Sequence, residues 1–133
     1  MLPLSRGCVL ALVGATASAA EVLVVTDRHH SVRVEPAVRV IVLDAPKLVE
    51  LELAAHLPTD PEQAAAVARQ RLHEGGAALQ KRLALAYRGV VEAWSLGVTK
   101  IPAVVVDRRY VVYGVPDVDR ALKLIEQYRS AQL

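Results

Sequence analysis

Few residues in this chain have types and spacing that suggest chemistry. Cys8 is the only cysteine in 133 residues. Two of the four histidines are adjacent, in Asp27-Arg28-His29-His30-Ser31. Adjacent side chains point in different directions in regular structure, and no third ligand stands at metal-site spacing. A solvated loop is therefore the reading that the His29-His30 pair supports. The serines Ser18, Ser31, Ser95 and Ser130 are scattered, with no evident histidine and aspartate partners. There is no nucleophile elbow, no His-Glu-x-x-His zinc pattern and no glycine-rich phosphate loop. The expectation is a protein that is not an enzyme, with no catalytic residue, metal or cofactor.

The first twenty residues read as a signal peptide. Arg6 supplies the positive start, Gly7 to Ala15 an apolar stretch, and Ala17-Ser18-Ala19 small residues for cleavage. The apolar stretch is well short of the ~18–20 residues that span a bilayer. Export is expected, with a domain over residues 21–133 starting near Ala20 or Glu21. Cys8 leaves with the signal. The remaining chain then has neither a disulfide nor a thiol nucleophile, although export places it where disulfides persist.

Composition narrows the class further. The length suits one domain. The hydrophobic fraction is 53% without a single Phe, so the core must be Val, Leu, Ile and Ala. The formal net charge of +2 is too small for a nucleic-acid footprint, and the basic residues form no run.

Several elements follow from the order of residues. Glu21-Val22-Leu23-Val24-Val25-Thr26 is a continuous β-branched run, the mark of a buried strand. Val38–Leu43 is a second strand. Its connection has roughly ten residues, near the lower limit for a parallel crossover, and both pairings are consistent with the sequence. Pro46 to His56 is expected as a helix with Leu48, Leu51 and Ala55 on one face. Asp60-Pro61-Glu62-Gln63 is a helix start, with a cap, a first-turn proline and a capping-box glutamine. That helix runs to Leu96, interrupted or kinked at Gly75-Gly76. Its second half carries Leu79, Leu83, Ala86, Val90 and Trp94 at helical spacing, which predicts Trp94 as a core or helix–sheet contact. A last helix begins near Pro116-Asp117 and buries Val118, Ala121, Leu122 and Ile125.

Between these helices lies the most informative stretch, Lys100 to Gly114. Ile101-Pro102 precedes Ala103–Val106, a polar corner Asp107-Arg108-Arg109, a second β-rich run Tyr110–Tyr113, and Gly114. Proline cannot donate to a ladder, so Pro102 opens the first strand. The hairpin lacks an Asn-Gly or Asp-Gly turn, which leaves its turn type open.

This stretch resembles the cis-proline hairpin of thioredoxin-like proteins. The resemblance implies an α/β fold with a small central mixed sheet of about four strands, flanking helices and a cis bond before Pro102. Leu57-Pro58-Thr59-Asp60-Pro61-Glu62-Gln63-Ala64, Leu96-Gly97-Val98-Thr99-Lys100-Ile101-Pro102-Ala103-Val104-Val105 and Tyr110-Val111-Val112-Tyr113-Gly114 together narrow it. They resemble the cysteine-free, thioredoxin-like exported proteins of integrating conjugative elements. The chain is also similar to pilus-assembly proteins of F-type conjugation. The resemblance implies a periplasmic role beside a type IV secretion apparatus, with pilus or channel proteins as partners. With the small net charge and the short apolar stretch, the expectation is no nucleic acid, no small-molecule substrate and no membrane span after cleavage. Ile101 and Pro102 become candidate partner-binding residues by analogy with the peptide-pairing backbone of such proteins. Arg108, Arg109, Tyr110 and Tyr113 are their neighbours. A general periplasmic peptide-binding chaperone with a redox-inactive fold is the alternative.

Overall fold

A computed structural model of the chain describes residues 19–133. The signal peptide expected over residues 1–20, with Cys8, lies outside the described residues but for Ala19 and Ala20. The described chain is α/β: four strands form one mixed sheet and three helices flank it. Its strands are β1 (Val22–Thr26), β2 (Arg39–Val42), β3 (Ala103–Val106) and β4 (Tyr110–Tyr113), in the spatial order β2-β1-β3-β4. The helices are α1 (Ala45–Ala54), α2 (Pro61–Ser95) and α3 (Val118–Ala131). This arrangement is compatible with a thioredoxin-like fold, and the Ile101–Pro102 peptide is cis.

β1 and β3 are the inner strands, and alternation sorts their side chains onto two faces. Leu23, Val25, Ala103 and Val105 pack with Ile41 and Ala93 on the α2 side. Val24, Val104 and Val106 pack with Val118, Ala121 and Ile125 on the α3 side. The continuous Val-rich runs are thus the signature of strands covered on both faces. β1 pairs parallel to β2, with Val25 beside Ile41, and antiparallel to β3, with Val25 beside Ala103. The parallel pairing is made by a crossover that contains no helix. Its Arg33 is strapped to α3 instead: its N–H donates to Pro116 O at 2.8 Å, and Val118 N–H donates back to Arg33 O at 3.3 Å.

Two expected faces are corrected in part. On α1 Pro46 and Val49 are buried and Leu48 is half-buried, while Leu51 and Ala55 are exposed. The inward face is the i, i+3, i+7 set Pro46, Val49 and Leu53, not the set through Leu51. On α2 Trp94 is 81% exposed and its neighbour Ala93 is buried. The reason is the closeness of helix and sheet. A Cβ on Gly89 would stand 3.2 Å from Ile41 Cγ2, so α2 meets β2 through Gly89 and Ala93. Only small residues fit that line of approach, and Trp94 is turned one helical step (about 100°) away from it.

Asp60 caps α2 as expected: its side chain accepts from Gln63 N–H at 3.1 Å. The kink falls at Gly76, where φ is 53° and ψ is −144°. No atom lies within 4 Å of the position a Cβ would take there, so only the backbone selects glycine. Gly76→Ala is expected to lower stability by about 1–2 kcal/mol through backbone strain alone, as read by urea denaturation. Unchanged stability would mean that α2 passes Gly76 without the kink.

Candidate functional site

The β3–β4 hairpin carries all six candidate partner-binding residues, and its geometry divides them. β3 and β4 pair from Ala103–Tyr113 to Val106–Tyr110. Ile101, Pro102 and Tyr113 therefore stand at one end of the hairpin. Arg108, Arg109 and Tyr110 stand at the other, roughly 10 Å away at the rise of a strand. They bracket β4 and do not form one patch.

At the first end the ladder closes with Gly114 N–H donating to Pro102 O at 2.9 Å. Ile101 lies just beyond it, half-buried against the α2-side core. Tyr113 ties the entry to the hairpin: its hydroxyl accepts from Thr99 N–H at 3.3 Å and donates to Gly97 O at 3.5 Å. The register continues from Val25–Ala103, so the loop after β1 leaves the sheet at this same end. There Asp27 Oδ1 accepts from His29 N–H at 2.9 Å and His30 N–H at 3.0 Å. It also meets His30 Nδ1 at 2.6 Å, and the His30 contact holds the Asp27 carboxyl below its usual range. The paired histidines thus belong to a carboxylate-capped turn. Among the described residues no group of three or more His, Cys, Asp or Glu side chains could hold a metal ion.

At the second end the turn has positive φ at both Asp107 (52°) and Arg108 (53°), and Arg109 N–H donates to Val106 O at 3.1 Å. Two positive φ values mark a primed turn, whose twist matches that of the strands. Asp107 then secures β1, with Oδ1 accepting from Glu21 N–H at 3.0 Å. Arg108 reaches across to Glu92 on α2, with Nη1 3.2 Å from Oε1. Glu92 also takes both terminal nitrogens of Arg39 on β2. One carboxylate therefore joins α2, the outer strand β2 and the hairpin turn. Arg39, and then Arg108, hold it below the usual carboxylate range. Arg108 thus has a structural contact while its side chain stays half-exposed.

Between the two ends runs the outer edge of β4. The Gly114–Pro102 bond makes Val112 and Tyr110 the residues whose peptides face β3. Antiparallel alternation then turns the peptides of Val111 and Tyr113 outward. Beside this edge, β4 and the end of α3 enclose a groove of about 550 Å³ lined by Arg109, Tyr110, Val111, Val112, Leu124, Ile125, Tyr128 and Gln132. Tyr110 is its centre. Tyr128 meets it edge-on at 6.4 Å, and the guanidinium carbons of Arg109 and Arg129 lie 5.6 and 5.3 Å from its ring centroid.

Leu124, Tyr128, Arg129 and Glu92 were not among the sequence candidates. The signal for the first two was their i, i+4 spacing on the flank of the buried face of α3. Also missed is an exposed apolar stripe on α2, formed by Tyr87, Val91 and Trp94 at i, i+4 and i+7. No helix among the described residues is long and apolar enough to cross a membrane.

The family model described as "Protein of unknown function (DUF1525)" matches residues 19–131. No curated protein and no solved structure matches the chain.

The Glu92 bridge makes stability depend on pH. A carboxyl held below its unfolded value stabilises the fold above that value, and the contribution is lost as pH falls through the folded value. Glu92→Gln is expected to cost on the order of 1 kcal/mol at pH 7, a modest figure because both arginines are half-exposed. The difference from the parent should shrink as the pH is lowered below about 4.5. Denaturant titrations at pH 7 and in acid check this; a constant difference across that range would contradict it.

Proposed function

The chain belongs to this DUF1525 family, and we propose that it is a non-enzymatic periplasmic component of an integrating conjugative element. In this reading it assists assembly of the type IV secretion (mating-pair) apparatus through protein contacts along the β3–β4 hairpin. The observation that carries the reading is the uncovered edge of β4. Its outward peptides and the half-buried Ile101 beyond the ladder are suited to pairing with an extended partner segment. Residues 21–133 contain no cysteine, so a thioredoxin-like surface there has no thiolate with which to exchange disulfides. The conjugative setting rests on the resemblance of the Leu96–Val105 and Tyr110–Gly114 blocks, and export rests on the pattern of the first twenty residues.

A general periplasmic peptide-binding chaperone is the second reading. The exposed Tyr87-Val91-Trp94 stripe favours it, because an uncovered apolar stripe suits varied apolar clients. Suppression of client aggregation by stoichiometric purified protein would support it.

Deletion of the gene in donor cells is expected to lower transfer frequency. The parent gene should restore transfer, and a Val111→Pro gene should not. Proline at 111 removes an outward N–H and leaves the inward ladder donors in place, while its ring replaces a half-buried valine packed on the α2-side core. Thermal unfolding of the variant within a few degrees of the parent separates lost docking from lost folding. Unaltered transfer in a clean deletion would overturn the proposal.

A further inference from the structure

The groove beside β4 is charged in one sense only. Arg109 and Arg129 both converge on the Tyr110 ring, and neither is ion-paired among the described residues. No acidic residue lines the groove. Arg108, in the same turn as Arg109, is by contrast paired with Glu92. Two guanidinium groups 5.6 and 5.3 Å from one ring centroid make this end of the groove cationic, and both attract an anion that comes to it. The other half of the groove is apolar. Leu124 and Tyr128 are 40% and 57% exposed, and Val112 lies opposite on β4.

Tyr110 and Val112 are two positions apart on β4, which is about 6.7 Å. A strand added to the edge of β4 turns every second side chain to the α3 side, at this same spacing. We infer that β4 and this groove bind an extended segment of a partner protein in which an apolar residue and an Asp or Glu stand two positions apart. The apolar side chain packs on Leu124 and Tyr128. The carboxylate binds at the cationic end that Arg109 and Arg129 form around Tyr110. The outward peptides of Val111 and Tyr113 hold the backbone. This inference rests on the protein-contact reading above and names the chemistry of the partner.

The test uses the purified protein and two synthetic ten-residue peptides of alternating threonine and valine. One carries Asp two positions from a central valine; the other carries Lys there. Amide chemical shifts of Val111 and Tyr113 should move with the Asp peptide, with at least about tenfold tighter binding than the Lys peptide. The double variant Arg109→Gln/Arg129→Gln should lose that preference while its fold, judged by the amide spectrum, is kept. Equal binding of the two peptides would overturn the inference. So would shifts confined to Trp94 and Val91, or concentration-dependent broadening at β4 without peptide, which would make a second copy of this chain the occupant. If the peptides fail while gene deletion still lowers transfer, the groove chemistry is wrong and the contact reading stands. If deletion leaves transfer unaltered, the contact reading itself fails.

Discussion

The structure depends on covering two strands on both faces. Val24, Val25 and Val104 have no exposed surface, and each strand sends alternate residues to opposite sides. A chain without Phe fills its interior with aliphatic side chains. Each buried Val contributes roughly 1.5–3 kcal/mol, so stability requires many of them, close-packed on two sides. α2 must close one side and α3 the other. Everything else follows from how short elements achieve this: the strapped crossover, the close approach at Gly89 and the helix start at Asp117.

The same constraint determines what is left open. Helices satisfy the faces of a sheet but not its edges. β2 and β4 are the two outer strands. β2 carries a charge, Arg39, held to Glu92, whereas the four residues of β4 carry apolar and aromatic side chains without a charge among them. The charges stand instead at its end, in the turn and on the last helix. An uncovered apolar edge with cations at one end is an unusual surface to leave in water, and it is the surface on which a docking role is argued.

Much of the fold was legible in the sequence because local and global signals agree there. The Val-rich runs, Asp60-Pro61 at a helix start and the Ile101-Pro102 hairpin each have a local physical cause, and the structure contains all of them. The cis state of Pro102 followed from the family resemblance, since the dipeptide alone does not select it. What misled was the last residue of a stripe. Leu79, Leu83, Ala86 and Val90 are half-buried on the inward side of α2, as their spacing predicts, but the closest approach to the sheet is made by Gly89 and Ala93, and Trp94 falls outside it. The groove was illegible for another reason: Tyr110 and Arg129 are 19 positions apart, and only the packing of α3 on β4 brings them together.

The most direct measurement is photo-crosslinking in living donor cells. A photoreactive phenylalanine analogue would replace Tyr113 at the β4 edge or, separately, Trp94 on the far face of α2, with adducts identified by mass spectrometry. The account predicts adducts with one or two pilus or channel proteins from position 113 and not from position 94. A broad set of unrelated exported proteins, or defined adducts from position 94 alone, would contradict it.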